Sequence, residues 1–291
     1  MSPLNFSIII PAKNESGGLS QLLPSLRQEF PAAEIVLVDD GSTDNTAQIG
    51  QEHGVTLVQH RYSQGNGAAI KSGARAASGD VFVFMDADGQ HTAENIKRLL
   101  EQIDDGYDMV VGARTKKSQA TVARSFGNGF YNWLASKIVG HKVEDLTSGF
   151  RAVRASKFKE FLYLLPNGFS YPTTITMAFF RSGYSIKYIT IEALERVGNS
   201  HLHVLKDGIR FLLIIFKIGT LYSPLKMFTP IAFFFFMLGL SYYMYTLMNF
   251  GRFTNMSALL FITSVLIFLI GLVSEQVTML TYQAARPRQN N

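Results

Sequence analysis

Val81-Phe82-Val83-Phe84-Met85-Asp86-Ala87-Asp88-Gly89-Gln90 is the stretch whose reading decides the fold. Five consecutive apolar residues are too few for a buried helix and suit a strand covered on both faces. The run ends in two carboxylates and a glycine. Alternation along an extended segment points Asp86 and Asp88 the same way. Two carboxylates at one strand end repel unless a cation lies between them. Hard oxygen ligands suit Mg²⁺ or Mn²⁺, ions that commonly bridge to substrate phosphates. Asp-x-Asp alone also describes a pair of turn or cap aspartates, so its surroundings must decide.

Working outward, the first 115 residues alternate short Val- and Ile-rich runs with helical stretches. Strands are expected at Phe6–Ile10, Glu34–Val38, Thr56–Gln59, Val81–Met85 and Met109–Val111, and helices near Leu19–Glu29, Thr43–His53, Gly67–Ala77 and Glu94–Asp105. Such alternation implies a doubly wound α/β sheet, whose ligands bind at the carboxyl ends of the strands. Pro11-Ala12-Lys13-Asn14-Glu15, Asp39-Asp40-Gly41-Ser42 and Asp86-Ala87-Asp88 all fall at such ends and converge on one cleft. Asp39 and Asp40 are suited to accept hydrogen bonds from a base or ribose, with Ser42 or Thr43 a good helix N-cap. Gly65-Asn66-Gly67-Ala68-Ala69 lacks the lysine-serine of a P-loop. It reads as a tight helix start, with Lys71 in reach of the cleft. Residues 116–200 are less regular: helices near Arg124–Val139 and Pro172–Arg181, and a strand near Ser185–Ile191. His91 reads as a supporting or surface residue, and Trp133, the single tryptophan, as packing.

The C-terminal part belongs to another solvent. After Asp207 the only acidic residue is Glu275. No charge occurs in Met227–Gly251 or in Phe253–Ser274, and each run is long enough to span a bilayer. A very short loop around Asn249–Asn255 makes them a helical hairpin. Lys217 and Lys226 before it, and Arg286 and Arg288 after it, put both ends and the large domain in the cytoplasm. His203, Lys206, Arg210 and Lys217 share one face of a helix over His201–Leu221, beside Leu205, Ile209, Leu212 and Phe216. This suits an amphipathic interface helix, or an ordinary snorkelling flank. Glu275 is either interfacial or paired with another helix.

Of the 291 residues 47% are hydrophobic and only 17% charged, with net charge +5. A basic excess beside apolar spans points to anionic lipid or a phosphate-bearing substrate rather than nucleic acid. There are no cysteines, which excludes disulfides and thiolate metal sites. Met1–Phe6 has no basic region followed by an apolar stretch, so no cleaved signal peptide is expected.

The motifs in order, Ile10-Pro11-Ala12-Lys13-Asn14-Glu15, Val38-Asp39-Asp40-Gly41-Ser42-Thr43-Asp44 and Asp86-Ala87-Asp88-Gly89-Gln90, resemble the family-two glycosyltransferases of GT-A fold. Gly112-Ala113-Arg114, Arg124, Ser148-Gly149-Phe150-Arg151 and Glu195-Arg196-Val197-Gly198-Asn199-Ser200 are similar to the dolichyl-phosphate mannose synthases and their bacterial polyprenyl-phosphate relatives. The resemblance implies a GT-A catalytic domain over 1–200, a juxtamembrane segment over 201–226 and a two-helix anchor with basic tail over 227–291. It also implies a nucleotide-sugar donor and a polyprenyl phosphate acceptor, with membrane lipid around the anchor. Pro11, Asn14, Glu15, Asp39, Asp40, Lys71 and Ala87 would line the donor site. Asp86, Asp88 and Gln90 would hold Mg²⁺ or Mn²⁺. Arg114 and Arg124 would bind the acceptor phosphate, Asp145 would lie near the acceptor, and Arg196 would close over the donor's pyrophosphate. His201, Asn128 and Lys13 depart from the commoner residues of the family, which leaves the donor sugar open.

The implied reaction is inverting transfer of one hexose to the lipid phosphate. That nucleophile is already ionised at pH 7, so a strong general base is dispensable. One alternative is transfer to a hydroxyl acceptor with Asp145 as base; another is a non-catalytic, membrane-tethered nucleotide-sugar binder. Self-association through the transmembrane hairpin is compatible with either.

Overall fold

The computed structural model describes residues 4–114, 122–168, 170–191, 216, 219–220 and 222–285. The chain divides into two compact units, residues 1–203 and 204–291.

The first unit is built on a seven-stranded sheet. Its strands are β1 (Phe6–Ala12), β2 (Glu34–Asp39), β3 (Thr56–Gln59), β4 (Val81–Phe84), β5 (Met109–Arg114), β6 (Arg151–Arg154) and β7 (Ile186–Ile191), in spatial order β3-β2-β1-β4-β6-β5-β7. All run parallel except β6, which pairs antiparallel with both β4 and β5. The helices are α1 (Ser16–Glu29), α2 (Thr46–Glu52), α3 (Asn66–Ala76), α4 (Ala93–Asp104), α5 (Val122–Val139), α6 (Ala155–Lys159) and α7 (Tyr171–Arg181).

Strand alternation sorts the core onto two faces. Ile8 and Ile10 of β1 join Val81 and Val83 of β4 in one cluster with Leu19, Leu23 and Leu26 of α1 and Ile96, Leu99 and Ile103 of α4. On the opposite face Phe82 and Phe84 meet the ring of Phe158, with Phe84 and Phe158 centroids 4.7 Å apart. Helix α3 lies hard against β1, because Gly73 presents no side chain; a Cβ there would come within 2.4 Å of Ile9 Cγ2.

Strand β6 was not expected from the sequence. Arg-Ala-Val-Arg is only four residues long and bounded by arginines, so it carries no strand signal of its own. Its register fixes the architecture of the site. Arg151 pairs with Phe84 on one side and Val111 on the other. Because β6 runs against its neighbours, it begins at the edge where β4 and β5 end. The segment leading into it, residues 145–150, therefore arrives over the carboxyl edge of the sheet.

The second unit is a helical hairpin, α8 (Pro224–Phe250) and α9 (Asn255–Ala285). Residues 224–250 and 255–282 are each long and apolar enough to cross a membrane, and only 17% of either apolar window is buried. A soluble core helix would be mostly covered. The two helices touch through small residues: Ala232, Gly239, Thr246, Ser257 and Ser264 are buried, and Ser264 Oγ donates to the Ala232 carbonyl at 2.8 Å. Phenylalanines 233 and 234 face outward. Glu275 reaches the first turn of α8, where its carboxylate accepts from the Leu225 amide at 3.3 Å; of the two readings of this residue, pairing with the other helix is the one observed. The amphipathic segment 201–221 lies outside the described residues except for Phe216, Gly219 and Thr220.

Ile9 sits on β1, an interior strand of the sheet, wholly buried and wedged against Gly73. Ile9→Ala is expected to cost about 2–5 kcal/mol, read as a lowered denaturant midpoint of the detergent-solubilised chain; an unchanged midpoint would show that this face tolerates a cavity.

Candidate active site

Strands β1, β2 and β4 are neighbours, so the three polar clusters meet at one edge. Between β1 and β4 the strand order reverses, the position where open α/β sheets form their ligand crevice. The β1–α1 and β2–α2 loops are laced together. Asn14 adopts a left-handed backbone (φ +56°). Its amide donates to Ser42 Oγ at 2.9 Å, and its side-chain carbonyl accepts from the Thr43 amide at 2.8 Å. The Glu15 amide donates to Thr46 Oγ1, and the Ser16 amide to Asp44. Burial raises the Asp44 pKa, but the hydrogen bonds from Thr46 and Ser16 outweigh it and bring it down to about 2. Ser42 and Thr43 therefore do not cap α2, as the sequence suggested. Asn45 precedes that helix with no side-chain cap bond, and the two hydroxyl residues instead tie one motif to the other.

Asp39 and Asp40 have separate roles. Asp39 accepts from the Ser42 amide at 2.9 Å, which shapes the turn at the end of β2. Asp40 is turned into the protein. It accepts from His60 Nδ1 (2.7 Å), Ser63 Oγ (2.8 Å), the Gln64 amide (2.8 Å) and the Gly65 amide (2.9 Å). Burial pushes its carboxyl up, yet the bond from His60 and those from Gln64, Gly65 and Ser63 hold it below the ordinary carboxylate range. With both oxygens occupied, Asp40 braces the 60–65 loop. Lys71 is likewise engaged within the protein. Its ammonium donates to the Leu165 carbonyl at 3.1 Å and to Asn167 Oδ1. The amides of Gly67 and Ala68 are spent on the carbonyls of Gly168 and Asn167, so the start of α3 holds residues 165–168.

The Asp-x-Asp segment is a turn, since β4 stops at Phe84 and Gly89 has φ +71°. The outward sense of the two acids survives this. Asp86 is exposed, Ala87 buried and Asp88 half-buried. The start of α1 fixes the turn's depth: a Cβ on Gly18 would lie 2.4 Å from the Ala87 carbonyl oxygen. Asp88 Oδ1 accepts from the Gln90 amide at 3.2 Å. Among the described residues no three His, Cys, Asp or Glu side chains converge as a complete metal cage. Asp86, Asp88 and Gln90 carry hard oxygen donors on this turn, the type that Mg²⁺ or Mn²⁺ takes together with phosphate oxygens and water.

Facing this turn is the 145–150 segment. Asp145, buried, accepts from Arg114 Nε (2.9 Å), Arg114 Nη2 (3.1 Å) and the amides of Thr147 and Ser148 (both 3.1 Å). Burial raises the Asp145 pKa, but the Arg114 hydrogen bond and charge overcome this and hold it low. Burial also lowers Arg114, outweighed by Asp145 and then by the charge of Asp86. Arg114 thus lies in the field of both carboxylates. His91 is buried and stacked on Phe150 at 4.0 Å. Burial, then the Arg114 charge, lowers its pKa to about 4, so it is neutral. The sequence placed His91 beside the motif but did not indicate this stacking. Trp133, expected to pack, is 54% exposed.

Arg151 was not assigned a role from sequence and is wholly buried. It donates to the Pro172 carbonyl and Thr176 Oγ1, both at 3.1 Å, and to the Ser148 carbonyl. The Tyr171 hydroxyl donates to the Gly149 carbonyl at 3.1 Å. Arg124 lies on α5 with its side chain outside the described residues, and Arg196 lies outside them altogether.

A mostly parallel sheet with an Asp-x-Asp turn at its switch point, followed by a membrane-length hairpin, is the architecture of a GT-A-type glycosyltransferase. Residues 7–162 match the model for glycosyl transferase family 2, and residues 223–280 that of the GtrB C-terminal hairpin. The chain belongs to glycosyl transferase family 2. It is 30% identical to a dolichyl-phosphate hexose transferase of Haloferax volcanii, over 70% of this chain and 89% of that protein. It is 35% identical to an undecaprenyl-phosphate 4-deoxy-4-formamido-L-arabinose transferase of Proteus mirabilis, over 51% of this chain and 48% of the relative, so the match spans about half of that protein's length. Among solved structures, glucosyl-3-phosphoglycerate synthase of Mycobacterium tuberculosis, crystallised with Mn²⁺, UDP and glucosyl-3-phosphoglycerate, shares the fold. Its TM-score is 0.60 at 20% identity, covering 74% of this chain and 79% of that one.

The sign of the Asp145 shift gives a test. Its folded pKa is depressed, so its stabilisation is present above the ordinary Asp value and is lost only as pH falls through the lower folded value. Asp145→Asn removes that contribution at neutral pH, at an expected cost of about 3 kcal/mol. The wild-type advantage, measured by thermal unfolding at pH 7 and pH 3, should shrink at the acid end. Equal melting of the two proteins at pH 7 would refute the pairing.

Proposed function

We propose that this enzyme transfers a single hexose from a nucleotide sugar to a polyprenyl phosphate at the cytoplasmic face of the cell membrane, with inversion at the anomeric carbon. The observation that carries the reading is that the segment opened by the Arg114–Asp145 pair brings Gly149 up beside Asp86 at one sheet edge, in a chain with two membrane-length helices. Relatives named for transfer to dolichyl and undecaprenyl phosphates support the acceptor class.

Pro11, Asn14, Glu15 and Asp39 receive the base and ribose, over a floor that includes Ala87. Asp86, Asp88 and Gln90 are the residues to hold Mg²⁺ or Mn²⁺, a choice supported by the Mn²⁺ of the structurally similar synthase. Such an ion supplies neutralisation of the diphosphate leaving group. Arg196 adds a second positive charge there. Arg114 and Arg124 hold the lipid phosphate, whose oxygens suit guanidinium geometry. A phosphate oxygen attacks C1 of the sugar from the face opposite the diphosphate. The C1–O bond to the donor breaks, its electron pair departing with the nucleoside diphosphate, as the new C1–O bond forms. No proton need be removed, because the attacking oxygen is ionised.

The same geometry argues against a hydroxyl acceptor. A base must be free to take a proton, and Asp145 is committed to Arg114 and two backbone amides with its pKa held low. For a tethered binder without activity, membership of a transferase family is the opposing fact.

The test is transfer to undecaprenyl phosphate from GDP-mannose, UDP-glucose and UDP-N-acetylglucosamine with Mg²⁺ or Mn²⁺, read by product mass. Asp88→Ala is expected to lower the rate by about 10²–10³-fold with the melting temperature retained; transfer at the wild-type rate would refute the metal assignment. Arg124→Ala should raise KM for the lipid phosphate and leave KM for the donor unchanged. An equal loss for both substrates would overturn its acceptor role.

A further inference from the structure

His91 directly follows the Asp86–Gln90 turn, and the mechanism above gives it no part. Thr92, next along, caps α4 by accepting from the Asn95 amide at 3.4 Å. The His91 ring lies flat on that of Phe150, with centroids 4.0 Å apart and planes 10° from parallel. Its Nδ1 is buried and has no hydrogen-bond partner among the described residues. An unpaired polar atom in the interior is unfavourable, so this nitrogen does not anchor the ring. The face of the ring does.

Phe150 is a fixed surface for that contact. It is 1% exposed and belongs to the same core cluster as Met85, Ala87 and Ile96. Gly112 leaves room for its ring, since a Cβ there would come within 2.6 Å of Phe150 Cδ1. The Phe150 carbonyl accepts from the Gly112 amide at 3.0 Å, and Ser148 Oγ donates to the Gly112 carbonyl at 2.7 Å. The Ser148 amide continues the connection to Asp145 and so to Arg114. The turn itself meets α1 at the Ala87 carbonyl, where Gly18 leaves room, and meets Gly149 at Asp86. At its downstream end, beside Asp88 and Gln90, the stacked pair joins it to the 145–150 segment.

We propose that His91 is a positioning residue: its ring, stacked on Phe150, fixes the downstream end of the Asp86–Gln90 turn and thereby the geometry in which that turn takes a divalent cation. This rests on the metal assignment of the function proposed above. The flat ring, not the ring nitrogens, carries the role. Supporting contacts that orient metal ligands typically contribute about 10–100-fold to metal affinity.

The experiment measures Mn²⁺ binding to the full-length, detergent-solubilised protein with GDP or UDP, from the electron paramagnetic resonance signal of free Mn²⁺. Melting temperatures are recorded alongside. His91→Ala is expected to bind Mn²⁺ about 10–100-fold more weakly, at a temperature where the protein is fully folded. His91→Asn, which keeps polar atoms and loses the ring, should match His91→Ala. His91→Phe, which keeps a flat ring and no nitrogen, should stay within about threefold of wild type. Phe150→Leu removes the stack from the other side and should weaken Mn²⁺ as His91→Ala does, with little further loss in the double variant, because both remove one contact. A lowered melting temperature with unchanged Mn²⁺ affinity would reduce the stack to packing and overturn the inference, leaving the metal assignment intact. Rescue by His91→Asn but not by His91→Phe would overturn it in favour of the nitrogens. Wild-type protein that binds no Mn²⁺ with either nucleotide sinks the metal assignment and this inference together.

Discussion

The ion pair between Arg114 and Asp145 joins the two halves of the crevice. Arg114 ends β5, and Asp145 opens the segment that enters β6 from the opposite direction. Their two side-chain hydrogen bonds, 2.9 and 3.1 Å, fix a connection that would otherwise be a loop hanging over the sheet edge. A buried pair of this kind adds little net stability, because desolvation offsets its attraction. Its effect lies in geometry. With Asp145 anchored, the Thr147 and Ser148 amides turn inward onto the same carboxylate, and Gly149 is delivered beside Asp86. The unpaired alternative leaves a buried carboxylate and two orphan amides, each costly.

The antiparallel strand makes this possible. In a wholly parallel sheet, every connection entering a strand arrives at the amino edge, away from the ligands. Inserting β6 between β4 and β5 brings an incoming segment to the carboxyl edge, so two chain directions contribute to one crevice. Arg151 is the cost of that arrangement: a guanidinium in the interior, with no carboxylate among the described residues within ion-pair distance, partnered by the carbonyls of Ser148 and Pro172 and by Thr176, while its Nε finds no hydrogen-bond partner among the described residues. Burial lowers its pKa. The residue ties the 148–149 segment to the first turn of α7, whose Tyr171 completes the clamp.

Much of this was legible in the sequence because the signals were local. Strands β1 to β5 announce themselves as short apolar runs ending in polar clusters, and the hairpin as two long uncharged runs. The Asp-x-Asp motif was recognisable, though as an extended strand end rather than the turn that Gly18 and Gly89 make of it. What stayed hidden depends on contacts distant in sequence. Ser42 and Thr43 look like helix caps until Asn14 is seen beside them. Nothing local in the sequence shows that His60, Ser63, Gln64 and Gly65 close on Asp40. Lys71 meets a loop more than ninety residues away. Neither hydrophobic period nor turn chemistry encodes such partners. Strand β6 was missed for a related reason: its pairing comes from flanking strands, with no alternation of its own.

The way the chain commits its carboxylates is consistent with the proposed chemistry. Asp40, Asp44 and Asp145 each accept several hydrogen bonds and each has a depressed pKa. None is poised near neutrality, where a general base works best. An enzyme that deprotonates a hydroxyl could not dispense with such a group, whereas one that uses an ionised phosphate has no call for it. In the proposed reaction positive charge is instead needed at both ends of the sugar, where a diphosphate would depart and a phosphate arrive. Arg114 lies in the field of both Asp145 and Asp86, which keeps its charge fixed. The membrane hairpin adds what the crevice cannot, since a lipid acceptor confined to the bilayer meets an anchored catalytic unit at a local concentration set by the tether.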